Sequence, residues 1–324
     1  MKIIVTGGAG YIGSHVVLSA LDRGYDVTVF DDLSTANEKN INLETKFIKG
    51  SINSKEDLLK LFGSDKYDAV IHLAASKACG ESMLNPKKYA QNNIIGSLNI
   101  LTSCIDYGVK YFIFSSSAAV YGNPIYIPID ELHPLQPSTY YGHTKLATEN
   151  SLEWFSKIHG LRYASLRYFN AAGFDVNKRI GGKEKNAENL IPLIMEVAKG
   201  NKPFISIYGN DYLTKDGTGI RDYVHVTDLA IAHVSVLDYL SKNSNNLTLN
   251  LGSETGFSVL EVLKETKHIL NIDIPYQIEK RRKGDVDKVV SSCHLAQDII
   301  KWEKRYSALE ILIKSTWEIY NQKT

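Results

Sequence analysis

The fold class that this sequence predicts is α/β: a doubly wound parallel sheet followed by a smaller C-terminal lobe. Three observations predict it. Short β-rich runs alternate with helical stretches through the first half of the chain. Those runs are continuously apolar, as strands covered on both faces are. A glycine-dense turn, Gly7-Gly8-Ala9-Gly10-Tyr11-Ile12-Gly13, joins the first strand to the first helix.

The elements follow in order. Lys2–Thr6 opens the sheet, and 26–30, 46–48, 69–74 and Tyr111–Ser115 read as further strands. The first helix, 14–23, carries Val17, Ala20 and Leu21 on one face and stops at Gly24, a residue suited to a left-handed cap. Residues 92–107 and 141–158 are the long helices of this half. From Ala171 the regularity weakens: Gly181-Gly182-Lys183 reads as a surface loop, and 210–219 is polar and glycine-bearing. The stretch 222–240 reads as a strand and helix returning to the main sheet. The expected division is 1–170 plus about 222–240 for the first domain, and 171–221 plus 241–324 for the second lobe.

Composition narrows the partners. A chain of 324 residues can bury a core large enough for two lobes. Its net charge of +1 provides no broad field for nucleic acid or an anionic membrane. The basic run Lys280-Arg281-Arg282-Lys283 reads first as a solvated surface. Cys79, Cys104 and Cys293 have neither metal-ligand spacing nor the pattern of a disulfide framework, so no metal is expected and a reducing compartment is. No apolar run approaches the roughly 20 residues that span a bilayer, and the N-terminus shows no apolar signal core. A cytoplasmic protein is expected.

The glycine turn carries the first chemistry. Gly7, Gly10 and Gly13 are spaced by three, and Gly8, Gly10 and Gly13 also satisfy G-x-G-x-x-G. Glycine permits the tight turn, lets backbone N–H groups reach a diphosphate, and lets helix pack closely on strand. The helix N-terminus adds free amides and a favourable dipole. A glycine pattern alone is weak, but this one follows a strand, opens a helix and is followed by Asp31 at the end of the second strand, the context of a Rossmann-type dinucleotide site. Asp31 can accept from ribose hydroxyls. Asp32 adds negative charge that would repel a 2′-phosphate, which favours NAD over NADP.

Tyr141 and Lys145 carry the second. Four residues apart on a helix, they share a face; Tyr140 would be rotated away. Lowering a tyrosine pKa from near 10 to about 7 takes roughly 4 kcal/mol of differential stabilisation. A neighbouring ammonium and a positive nicotinamide ring could supply it in a partly dry pocket. Ser117, the last of three serines at a strand end, would bond the reacting oxygen as its proton moves; the alternative for all three is to satisfy backbone groups at the strand terminus.

At these residues the chain resembles the extended short-chain dehydrogenase/reductases, and within them the UDP-glucose 4-epimerases (UDP-galactose 4-epimerases). The matching segments run nearly end to end. They include the glycine turn, His72-Leu-Ala-Ala75 with Lys77, Phe114-Ser-Ser-Ser-Ala-Ala-Val-Tyr-Gly122, Tyr141-Gly-His-Thr-Lys145 and Leu166-Arg-Tyr-Phe-Asn-Ala-Ala-Gly173. More specific are Tyr208-Gly-Asn-Asp-Tyr212, Asp216-Gly-Thr-Gly-Ile-Arg-Asp-Tyr223 and Arg281-Arg-Lys-Gly-Asp285.

The resemblance implies an isomerase that inverts sugar C4 through a transient 4-keto sugar, using NAD, in a homodimer. It implies that Tyr11, Ile12, Asp31, Asp32, Leu73, Ala74, Ala75, Lys77, Asn92 and Phe169 line the NAD site together with Tyr141 and Lys145. Asn170, Asn189, Leu190, Tyr208, Arg221, Arg282 and Asp285 would hold the UDP-sugar, and guanidinium groups do suit a diphosphate. That removes Arg282, though not its neighbours, from the solvated-surface reading.

Two positions depart from the family. Where it has aspartate against adenine, this chain reads Gly50-Ser51-Ile52, and Ser51 is expected to accept the same hydrogen bond more weakly. Val289 stands where some members carry tyrosine, and a small residue there is associated with room for an N-acetyl group. Sister enzymes, the 4,6-dehydratases and decarboxylases, put carboxylates beside the strand-end serine, where Ala118 and Ala119 stand here. A non-catalytic dinucleotide-binding protein on this fold could dispense with both Tyr141 and Lys145.

Overall fold

The computed structural model of the chain describes residues 1–185, 187–282 and 285–322. Its first strands are β1 Lys2–Thr6, β2 Asp26–Asp31, β3 Lys46–Lys49, β4 Ala69–His72, β5 Tyr111–Ser115 and β6 Arg162–Tyr168. Then come β7 Asn170–Ala172, β8 Ile205–Tyr208, β9 Ile220–His225, β10 Leu247–Leu251, β11 Gly256–Ser258, β12 Tyr276–Glu279 and β13 Lys288–Val289. Seven of them form a parallel sheet in the order β10-β6-β5-β4-β1-β2-β3. The order reverses at β1, where a doubly wound sheet opens its binding crevice.

Both faces of this sheet are buried, which is why its strands are apolar without alternation. Ile3 and Val5 of β1 point into one core with α1 (Tyr11–Asp22) and α8 (Val226–Lys242). Ile4 points into the opposite core, built with α2 (Lys55–Gly63), α5 (Gly96–Asp106) and α6 (Tyr140–His159). A third core lies in the C-terminal part, among α7 (Leu190–Ala198), α9 (Val259–Leu270), α11 (Leu309–Tyr320) and β8. There β9 pairs with β7, β11 and β13, while β12 pairs with β8.

Three expectations are corrected. The strand within 222–240 belongs to β9 and does not return to the large sheet; only α8 does, packing beside α1. Asp222 holds β9 elsewhere: its buried carboxylate accepts from the amides of Ser253 (2.6 Å) and Ser291 (3.0 Å). The strand that completes the large sheet is β10, whose Leu247, Leu249 and Leu251 are all in the first core. The helix expected over 92–107 is preceded by a short turn, α4 (Pro86–Tyr89), and a π-helical stretch, Ala90–Ile95. An extra residue per turn there leaves backbone carbonyls outside the regular ladder, and Asn93 O accepts from the Ser97 hydroxyl. The first helix starts at Tyr11 rather than at residue 14, directly off Gly10.

Candidate functional site

The glycine turn is held by steric necessity. Gly7 has φ +71° and donates its N–H to Phe30 O at 2.8 Å; a Cβ there would lie 2.7 Å from Ala74 N. A Cβ on Gly13 would lie 2.0 Å from the Gly7 carbonyl oxygen. Gly10 precedes α1 and offers no side chain to satisfy its first amides, so the helix opens with donors directed at the C-terminal end of β1. Asp31, buried at the end of β2, accepts from Ala9 N (3.0 Å) and Leu33 N (2.9 Å). Burial raises its pKa above the ordinary carboxylate value, and those amides oppose the rise. Asp32 is exposed beside it and accepts from Ser34 N at 2.9 Å. A side-chain-free cradle, unsatisfied helix amides and a carboxylate at the next strand end fit the diphosphate and ribose of NAD.

Other expected cofactor residues lie along the same sheet edge. Leu73, Ala74 and Ala75 follow β4, and Ala74 is the residue that Gly7 approaches. Ile52 is buried, and Gly96 is free of a Cβ that would meet it at 2.5 Å. Ser51 accepts from Asn53 N (3.2 Å) and donates its own N–H to Asp57 (3.0 Å). Asn92 donates to the Ser76 hydroxyl and accepts from Asn53. Lys77 forms an ion pair with Glu184, a contact the sequence reading missed.

At the N-terminal end of α6, Tyr141 and Lys145 are both buried. Thr139 caps the helix, its hydroxyl accepting from Gly142 N. Lys145 Nζ donates to Ser115 O at 2.7 Å and stands 5.8 Å from the centre of the Tyr141 ring. The Ser117 hydroxyl accepts from Ala119 N at 3.2 Å. The protein's own groups pull the phenol and the ammonium in opposite directions. Burial raises the Tyr141 pKa well above its ordinary value, Tyr168 and Cys79 add to the rise, and Ser117 only opposes it. Burial instead lowers the Lys145 pKa to about 7, against the pull of Glu149.

The other two serines of the row serve the frame. Ser115 Oγ pairs with His233 Nε2 at 2.9 Å, and Ser116 donates to Glu149. Glu149 forms a buried, two-pronged ion pair with Arg167 of β6, Nε at 3.0 Å and Nη2 at 2.6 Å. Arg167 also donates to Tyr121 Oη (3.1 Å), which donates to Asn250 (2.6 Å). This network was missed, although Glu149 lies one helical turn beyond Lys145 on the same face, a spacing that could have revealed it.

Of the expected sugar anchors, Asn170, Arg221, Asp285 and Val289 lie on or against β9, and Tyr208 and Arg282 lie at β8. Asn170 donates to Asp222 O at 3.0 Å. Asn189 precedes α7 without using its side chain as a cap, and Leu190 begins that helix. Arg282 stacks on Tyr208, 3.9 Å above the ring. Arg221 donates to Val286 O (3.0 Å) and pairs with Asp285 at 3.6 Å. Val289 is the registered partner of Arg221 and packs on the cluster containing Phe169 and Tyr121. Arg281, expected to be a solvated neighbour, is exposed, pairs with Asp211 at 2.6 Å and stacks on Tyr212. Lys283 and Gly284 lie outside the described residues. Among the described residues no group of three His, Cys, Asp or Glu could hold a metal ion, and no helix is long and apolar enough to cross a membrane.

Residues 3–252 match the NAD dependent epimerase/dehydratase family. The chain is 42% identical to a UDP-glucose 4-epimerase of Halalkalibacterium halodurans over 322 residues, 99% of this chain and 96% of that protein. It superposes on the crystal structure of UDP-glucose 4-epimerase from Brucella ovis in complex with NAD with a TM-score of 0.95, at 37% identity and 98% coverage of both chains. The UDP-Glc/GlcNAc 4-epimerase of Campylobacter jejuni gives a TM-score of 0.86 at 36% identity, covering 99% of each chain.

Proposed function

The chain belongs to the NAD dependent epimerase/dehydratase family, and from that premise we propose how its residues divide the work of inverting C4 of a UDP-hexose. It is an isomerase that uses NAD and interconverts UDP-galactose and UDP-glucose. The observation that carries this reading is the buried pair Tyr141 and Lys145, one turn apart on α6, with Lys145 fixed to the Ser115 carbonyl two residues before Ser117.

Bound NAD supplies the hydride acceptor and donor. Tyr141 takes the proton of the 4-hydroxyl as that carbon becomes a ketone, and returns it after the sugar has presented its other face. Ser117 holds the reacting oxygen through both proton movements. Lys145 stabilises the phenolate and orients the nicotinamide ribose. Arg221, Arg282 and Asp285, with Asn170, Asn189, Leu190 and Tyr208, grip the nucleotide so that the hexose can turn; tight binding at the remote end leaves the reacting end mobile. The glycine turn, Asp31, Asp32, Ser51, Ile52, Leu73, Ala74, Ala75, Lys77, Asn92 and Phe169 hold NAD. The first two cores frame the dinucleotide domain and the third frames the sugar lobe.

Val289 and the similarity to a UDP-Glc/GlcNAc 4-epimerase support acceptance of N-acetylated sugars as well. Ala118 and Ala119 in the turn after Ser117 oppose dehydration or decarboxylation, which need an added acid or base. A cytoplasmic homodimer completes the reading, supported by three free cysteines and by apolar side chains exposed on α6. Incubation of the purified protein with UDP-galactose should yield UDP-glucose without net NADH. No interconversion, or stoichiometric NADH release, would refute it.

A further inference from the structure

Residues 180–185 leave the second lobe and cross the mouth of the dinucleotide crevice. On one side they are tied to the segment after β2. Asn40, itself buried, accepts from Gly182 N at 2.8 Å and donates to Gly182 O at 3.1 Å. The same amide group donates to Ala9 O, inside the glycine turn, at 3.3 Å. Lys185 reaches Leu33 O at 3.3 Å. On the other side Glu184 pairs with Lys77, beyond β4. Because β2 and β4 flank β1 in the sheet, a segment fastened to both passes over the carboxyl end of β1, where such sheets bind their ligands.

Close approach is built into this crossing. A Cβ on Gly182 would lie 2.2 Å from Asn40 Oδ1, so a larger residue there would lift the segment off. Glu184 is only 17% exposed at its side chain whereas Lys77 is 54% exposed, so the latch is half sheltered and solvent reaches it from the lysine side. An epimerase must keep the same NAD through both halves of its reaction.

We propose that residues 180–185 are a strap that closes over seated NAD, with the Glu184–Lys77 ion pair as its latch, and that this strap sets how long NAD stays bound. The proposal rests on the reading of NAD as a resident cofactor. Leaving requires the Asn40–Gly182 pairing and the Glu184–Lys77 pair to part together, while turnover requires neither to part.

Exchange of the holoenzyme's NAD against radiolabelled NAD tests it. Glu184→Gln, which keeps size and removes charge, should exchange roughly five- to tenfold faster, the scale of one half-sheltered ion pair, with kcat at saturating NAD unchanged. Added salt should speed exchange in the native protein and have little effect in Glu184→Gln, because screening acts on the pair that the variant lacks. Asn40→Ala, loosening the opposite anchor, should also exchange faster. Native exchange rates in both variants would overturn the strap while leaving the functional reading intact. A native protein that neither carries nor takes up NAD would overturn that reading and the strap with it.

Discussion

Burial acts on Tyr141 and Lys145 in opposite senses, raising the phenol and lowering the ammonium to about 7. Loss of one proton from the pair gives either a phenol beside a neutral amine or a phenolate beside an ammonium. The two forms contain the same number of protons. A cationic nicotinamide ring favours the second, so the base appears with the pair's proton loss near pH 7. The rate of C4 inversion should therefore rise as pH increases through about 7. Glu149 is the group that raises the Lys145 pKa; without its charge the ammonium is easier to deprotonate, so Glu149→Gln should move the midpoint to lower pH. An unmoved midpoint counts against this coupling. Tyr141→Phe should lower kcat by about 10²- to 10⁴-fold, the usual worth of a positioned acid–base group, and leave KM for the UDP-sugar nearly constant. Val289 lies in register with Arg221 and packs on the cluster containing Phe169. A phenol there would fill the space expected for an acetamido group, so Val289→Tyr should lower kcat/KM for UDP-GlcNAc at least about tenfold relative to UDP-glucose, roughly 1.4 kcal/mol of discrimination. Equal turnover of the two sugars by the variant would exclude that explanation.

Strands and helices differ in how openly they announce themselves. The join of β1 to α1 was legible because its cause is local: each glycine answers to a neighbour within the turn or to the adjacent strand end. The Tyr141–Lys145 face was legible because four residues is a helical period. The edge position of β10 was not, because both 222–240 and the leucine run after it are apolar enough for the large sheet. Pairing with β7, β11 and β13, and Asp222 meeting Ser253 and Ser291 far along the chain, assign β9 to the small sheet. The same holds for the tie between α6 and β6, where Glu149 and Arg167 meet out of water. Arg167→Met would strand the Glu149 charge, and loss of one partner from a buried pair costs about 3–5 kcal/mol. A urea midpoint lowered to match is expected, with part of it recovered by adding Glu149→Leu. A midpoint within error of the native protein would show that water reaches the pair.

The whole molecule presents α6 to solvent along a face that its own cores do not use. Tyr141, Thr144, Lys145, Thr148, Glu149 and Leu152 are buried, whereas Trp154 and Ile158, one turn apart, are 61% and 67% exposed. Tyr107, at the end of neighbouring α5, is exposed as well. In the proposed homodimer these side chains are the surface that a two-fold partner would cover, since an isologous contact repeats the same helices from both sides. A dimer built this way leaves every proposed site residue inside one protomer, because the crevice opens at the carboxyl ends of the strands and α5 and α6 cover a face of the sheet. Association and catalysis should then separate. Trp154→Glu combined with Ile158→Glu should convert a dimer into a monomer in sedimentation equilibrium, because a charge pressed into an apolar contact must lose its water without a partner. The monomer should keep its NAD and most of its kcat. If the double variant remained dimeric, the two-fold contact would have to lie on another face; if it became monomeric and lost its bound NAD, the crevice would depend on a neighbouring protomer after all.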